Sequence, residues 1–221
     1  MIKNKLYKLF KALNLDNPLD FARTIVAPLC KEKIEEHIIS CVDCNTCKGC
    51  EKKLPTGNPN ANILIINDNA TDNEEINSYT LNILETAGLD MRDVYMINSV
   101  SCILKRDFNG ESIVRLPNRK EITNCKHFVD YAIDFVKPRV IIVMGATSLS
   151  MYRSEITLEE IKGQYIDING IKAMVTYSAK DLFSMLEYYP EDEVYKTAEQ
   201  VAEDVANTLT YLDSLNKTAR R

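Results

Sequence analysis

Three short, uninterrupted apolar runs set the frame of this chain. They are Ile63-Leu64-Ile65-Ile66 between Asn62 and Asn67, Val94-Tyr95-Met96-Ile97 between Asp93 and Asn98, and Val140-Ile141-Ile142-Val143-Met144 between Arg139 and Gly145. Runs of this length, bounded by polar or turn residues, read as strands buried on both faces, as in a parallel sheet. Segments of helical period lie between them. Glu74 to Ala87 predicts a helix with Gly88 as its C-cap. Glu121 to Val136, beginning around Arg119, predicts a second that Pro138 ends. A short helix starts at Ala146, and Glu191 to Leu215 predicts a long closing helix. Gln164 to Thr176 reads as a hairpin, because Asn169-Gly170 is a strong two-residue turn signal. Lys105 to Asn118 shows no period and is expected to be an irregular, basic excursion.

The N-terminal part differs. Leu6, Leu9, Phe10 and Leu13 form an apolar stripe against Lys3, Lys5, Lys8 and Lys11, which predicts an amphipathic helix over residues 1–13. Asn17-Pro18 then starts a second helix that runs through Cys30 to about Ile39. The expected organisation is a helical extension over 1–40, one domain over 41–216 and a frayed tail over 217–221. Strands alternating with helices make that domain an α/β, three-layer α/β/α sandwich with a mainly parallel central sheet. Ligands of such sheets sit at the carboxyl ends of the strands. Here those ends are Asn67–Asp72, Asn98–Cys102, Gly145–Ser148 and Tyr177–Leu182.

Composition narrows this only a little. The chain has 221 residues, is 45% hydrophobic and carries a net charge of -5, so it can bury a core and does not advertise nucleic-acid binding. A local basic groove would matter more than the total. No stretch is long and apolar enough to span a bilayer, and no signal core opens the chain, so the expectation is a cytoplasmic protein without a membrane partner.

The sulfur changes the picture more. Cys41, Cys44, Cys47 and Cys50 are each three residues from the next, forming overlapping CxxC pairs, and Cys102 and Cys125 stand downstream. In a reducing compartment this spacing favours metal over disulfides. A zinc ion on the four clustered cysteines is one reading, although tetrahedral sites built from four cysteines draw two pairs from separated segments. Cys30 reads as a small hydrophobe on a helix.

Several motifs then fall in a telling order: Cys41-Val42-Asp43-Cys44, Gly57-Asn58-Pro59-Asn60-Ala61, Ile97-Asn98-Ser99-Val100-Ser101-Cys102, Asn124-Cys125, Lys137-Pro138 leading into the strand to Gly145, and Lys162-Gly163. From about Cys41 to the closing helix, this order resembles the uracil-DNA glycosylase superfamily, closest to its iron–sulphur branch, family 4. The resemblance implies a 4Fe-4S cluster on Cys41, Cys44, Cys102 and Cys125, with Cys44 and Cys47, or Cys47 and Cys50, as alternatives for the first pair. Four thiolates are the usual ligands of such a cluster.

The catalytic stretches depart from the family pattern. Active relatives carry Gly-Glu-Gly/Ala-Pro-Gly-Glu after the first strand, and this chain has Asn67-Asp68-Asn69-Ala70-Thr71-Asp72. The family's uracil-stacking Phe has no counterpart, although Tyr79 stands nearby in sequence. Where relatives have His-Pro-Ala, this chain has Ser178-Ala179-Lys180, and its two histidines, His37 and His127, fall on predicted helices away from this loop. The resemblance makes Asp68, Asn69 and Ser178 the candidate catalytic residues, with Asp72 a further one. Asn98 would read the base edge, Lys180 would supply charge, and Leu182 and Phe183 stand at the duplex wedge. Lys105, Arg106, Arg115 and Arg119 would engage DNA. The expected function is a DNA-binding relative with weak or lost excision activity in a DNA repair or replication accessory role, residues 1–40 being open to a replication or repair partner. The alternatives are an active uracil-DNA glycosylase and an interaction protein without DNA contact.

Overall fold

The computed structural model of the chain describes residues 25–44 and 48–218. The helix expected over residues 1–13, the helix start at Asn17-Pro18 and Cys47 lie outside these. In chain order the elements are α1 (Ala27–Ser40), β1 (Thr56–Gly57), β2 (Ile63–Asn67), α2 (Glu74–Thr86), β3 (Val94–Asn98), β4 (Lys105–Phe108), β5 (Glu111–Val114), α3 (Arg119–Val136), β6 (Val140–Met144), α4 (Ala146–Ser150), α5 (Leu158–Ile161), β7 (Tyr165–Ile168), β8 (Ile171–Thr176), α6 (Ala179–Met185) and α7 (Glu191–Thr218).

The three apolar runs are β2, β3 and β6, and they lie side by side. The main sheet has the order β1-β3-β2-β6-β8-β7. β2 pairs in parallel with β3 on one side and β6 on the other, and β6 pairs in parallel with β8. Only the short edge strands β1 and β7 run antiparallel to their neighbours. Leu64, Ile65 and Ile66 of β2 and every residue of β6 are buried, which explains why neither run alternates. Burying each such side chain contributes roughly 1.5–3 kcal/mol.

The chain passes from β2 through α2 to β3, then crosses back through α3 to β6. Right-handed crossovers in opposite directions put α2 and α3 on opposite faces of the sheet. α1 packs on α3, while α6 and α7 pack with α2. Ile34 and Ile38 of α1 belong to the main core, so residues 27–40 are part of this domain and not a separate arm.

The supposedly irregular excursion is a hairpin, β4–β5. Its turn is Asn109-Gly110 with φ of 54° and 87°, matching Asn169-Gly170 at 54° and 81° in the other hairpin. Both pairs sit in the left-handed region that a tight two-residue hairpin turn needs. Nearly every β4–β5 side chain is exposed, so no apolar alternation marked the strands, and the turn was the one local signal.

Arg115 also departs from expectation. Its Nη1 and Nη2 hold Glu121 Oε2 and Oε1 at 2.9 and 2.7 Å, and Glu121 in turn accepts from the Asn118 amide at 2.8 Å as half of a capping box. Glu121 is buried, so Arg115 neutralises it and is not a free cation for DNA.

Candidate active site

The strand order creates a switch point. From β2 the chain first goes to β3, then returns to β6, so the connections leaving β2 and β6 diverge and open a crevice at their carboxyl ends. Asp68 follows β2 and Gly145 follows β6. Gly145 has φ +94°, and a Cβ there would lie 2.5 Å from Asp68 Oδ2. Only glycine admits both the backbone turn and the carboxyl.

Asp68 is 4% exposed and well partnered. Its Oδ1 accepts from the Asn69 amide at 2.7 Å, and the Thr147 side chain also hydrogen-bonds the carboxyl. Ser178 Oγ lies 3.5 Å from Oδ2. Burial nonetheless pushes the Asp68 carboxyl above the usual range, against those hydrogen bonds and the nearby Lys180 charge. Ser178 is the N-cap of α6. Its hydroxyl donates to Asp181 Oδ2 at 2.7 Å and accepts from the Asp181 amide at 3.2 Å. Burial, then the Asp68 charge, pushes Asp181 up to about 6. The Ser178 hydroxyl is thus engaged within the protein by Asp181.

Lys180 stands on the same helix. From the first turn of α6 its Nζ donates to Asn69 Oδ1 at 2.9 Å. Burial pushes its ammonium below the ordinary lysine range, while Asp68 and Asp181 pull it back up. Asn69 is itself buried, and its Nδ2 donates to Ala70 O at 3.3 Å, which fixes the carboxamide with Oδ1 toward the lysine.

These groups line a cleft of about 290 Å³. Asp68, Asn69, Asn98 and Lys180 provide polar wall, and Leu81 and Met96 are among its apolar residues. Asn98 is half-buried at the end of β3, directly across the ladder from Asn67, whose Nδ2 lies 3.4 Å from Asn98 Oδ1. A carboxamide oxygen accepts twice, so Asn98 keeps both an acceptor and its donors for a base edge. Asn67, Gly145, Thr147 and Asp181 all fall in the strand-end segments that the sequence marked, but none was singled out as a site residue, because no local pattern tells which residue of such a segment turns inward.

Other candidates fall outside the cleft wall. Leu182 is 1% exposed and belongs to the main core, so it cannot enter a duplex. It points inward because α6 must bury one face against α7. Phe183 packs edge-on against Tyr79, centroids 5.7 Å apart, which places Tyr79 in helix packing. Asp72 pairs with Lys105 at 2.7 Å, and a hydrogen bond from Lys105, with its charge, holds the Asp72 carboxyl below its usual range. That pair ties the base of the β4–β5 hairpin to the loop beside the cleft. Arg106 is exposed on β4, its guanidinium 5.9 Å from the Phe108 ring centroid, and Arg119 is exposed at the start of α3. His37 and His127 are exposed on α1 and α3, away from the cleft.

The cysteines divide between two cores. Cys44, Cys102 and Cys125 are buried together in a satellite cluster with Val100 and Leu104, and Cys50 packs against it. Cys41 packs against the main core instead. The juxtaposition arises from pairing: Lys53 N donates to Ser101 O and Ile103 N to Glu51 O, both at 2.9 Å, which lays residues 51–53 along 101–103. Asn124 Nδ2 donates to Asp43 O at 3.1 Å and to Cys44 Sγ at 3.3 Å, drawing the start of α3 to the same place. Three buried thiols with a fourth beside them, one receiving an amide N–H, gather soft sulfur donors in one core. Among the described residues, no three Cys, His, Asp or Glu side chains are grouped tightly enough to hold one metal ion.

Comparison with known proteins gives the same direction. Residues 54–200 match the model of the uracil DNA glycosylase superfamily. The type-4 uracil-DNA glycosylase of Sulfurisphaera tokodaii is 27% identical over 175 residues, covering 74% of this chain and 76% of that protein. The type-4 enzyme of Thermotoga maritima is 32% identical over 98 residues, covering 43% and 47%, and that of Saccharolobus solfataricus 26% identical over 160 residues, covering 64% and 71%. With a matched region that takes in the sheet, the switch-point cleft and Lys180, the chain belongs to the uracil DNA glycosylase superfamily.

Proposed function

We propose that the protein binds DNA, takes a flipped deaminated base into the cleft between Asn69, Asn98 and Lys180, and hydrolyses its N-glycosidic bond slowly. The observation that carries this reading is the Lys180–Asn69 contact, a cation in the cleft two residues after the position where relatives carry a histidine. Uracil is the first substrate to consider, since the relatives' names specify it. Chemistry on a base requires extrusion from the duplex, and a concave site at strand ends receives it.

The second lone pair of Asn69 Oδ1 can hold the attacking water against C1′ of the sugar. As the C1′–N bond breaks, negative charge develops on the departing base. Asn98 binds its edge, and the Lys180 ammonium stabilises the charge. Asp68, braced by the Asn69 amide and Thr147, keeps the loop in place and holds Lys180 electrostatically. Turnover is slow because the Ser178 hydroxyl is committed to Asp181, which leaves one half-buried cation for the leaving group. Arg106 and Arg119 provide phosphate contacts on and beside the hairpin, while Lys105 is engaged by Asp72.

Cys44, Cys102 and Cys125, with Cys47 or Cys50 as the fourth ligand, would hold a 4Fe-4S cluster. It would serve structurally, tying the cysteine segment to residues 101–103 and α3. This reading moves Cys41 out of the ligand set because it faces the main core. Iron, sulfide and zinc analysis of anaerobically purified protein tests it: iron with sulfide supports the cluster, and zinc or neither metal overturns it.

The decisive experiment for function is single-turnover excision, enzyme in excess, on uracil-containing single- and double-stranded DNA. Slow release of uracil that Asn98→Ala abolishes is expected. No release by the wild type sinks the excision reading.

A further inference from the structure

The cleft holds an amine that can do more than supply charge. We infer that Lys180 is also a nucleophile: its Nζ condenses with the C1′ aldehyde of an abasic site and holds that DNA as an imine. The inference rests on the proposed DNA-binding reading of the same cleft.

Geometry puts the amine in the cleft that would receive the abasic sugar. Asn98 ends β3, Asn69 follows the adjacent strand β2, and both line that cleft with Lys180. Lys180 Nζ is already at Asn69 Oδ1, 2.9 Å away, and the side chain crosses from α6 to reach it. The surroundings also suit an amine nucleophile, which must be neutral to react. Lys180 is largely desolvated, and the two carboxyls that face it, Asp68 and Asp181, are pushed toward their own neutral forms by burial.

The step balances without an added reagent. The abasic deoxyribose opens to its aldehyde, and the Nζ lone pair forms the N–C1′ bond. The nitrogen loses its protons as the former aldehyde oxygen leaves as water, giving the imine. Water reverses the reaction and releases the DNA. The consequence is retention: the protein would shield the reactive abasic product for as long as the imine lasts.

A duplex with one preformed abasic site tests this independently of excision. Wild-type protein is incubated with it and reduced with sodium borohydride, and the covalent adduct is mapped by peptide mass. Binding of the same duplex is measured in parallel, for wild type and for Lys180→Arg, which keeps the cation but cannot form the imine. The expected result is DNA binding by the wild type and an adduct mapped to Lys180 that Lys180→Arg loses. Wild-type binding without an adduct overturns the inference and leaves the DNA reading intact. An adduct at another amine, such as Lys53 in the same cleft, also overturns it. No binding at all sinks the DNA reading, and the inference falls with it.

Discussion

Gly145 and Asp68 fit together only because one of them lacks a side chain: a Cβ on Gly145 would lie 2.5 Å from Asp68 Oδ2. The contact joins the carboxyl ends of β2 and β6, the two strands between which the sheet order reverses. Gly145→Ala is therefore expected to strain a φ of +94° and displace the carboxyl together, losing about 1–3 kcal/mol from the backbone alone. Urea denaturation reads the loss. Wild-type stability in this variant would show that the loop relaxes and that Asp68 is not locked.

Lys180→Gln is expected to slow single-turnover excision by about 10²-fold, the usual effect of removing one oriented stabiliser of a leaving anion. Lys180→Arg should retain part of the rate. DNA affinity should change little, because the interaction grows only as the base departs. An unchanged rate in Lys180→Gln would assign leaving-group stabilisation elsewhere.

Stability should fall as pH rises across the window from the ordinary aspartate value of 3.8 to about 6. Asp181 holds its proton more tightly when folded, so the folded state binds the extra proton in that window and loses this advantage as the carboxyl ionises. Asp68, raised in the same direction, extends the effect. Denaturation midpoints measured across this range should flatten in Asp181→Asn. A wild-type profile that rises over the same range would contradict the burial of this pair.

Arg106→Ala and Arg119→Ala should each reduce the salt slope of DNA affinity by about 0.9, one phosphate contact apiece. Arg115→Ala should leave the slope alone, since that guanidinium is paired with buried Glu121, and should instead destabilise the fold by about 2 kcal/mol. Affinity titrations from low to moderate salt separate these outcomes.

Cys102→Ser and Cys125→Ser should lower both iron content and melting temperature, while Cys30→Ser should change neither. Cys50→Ser should lower iron content more than Cys41→Ser, because Cys50 packs on the satellite thiol cluster and Cys41 on the main core. Equal loss in both would return Cys41 to the ligand set.

Much of the fold was legible from local pattern. The apolar runs at Ile63, Val94 and Val140, the helix between Glu74 and Gly88 and the Asn169-Gly170 hairpin stand where the sequence places them. Lys105–Val114 was not legible, because an exposed hairpin needs no apolar alternation and only Asn109-Gly110 announced it. Leu182 was misread for the opposite reason: a motif position says nothing about which side of a helix must be buried.

By itself, then, the sequence determined the elements and the class of sheet, since apolar period, turn residues and caps act over a few neighbouring positions. The tertiary structure alone decided which sulfurs meet, that Ser178 serves Asp181, and that Lys180 reaches Asn69 from 111 residues away. Those pairings follow from strand order and crossover, which are long-range choices that no local pattern encodes.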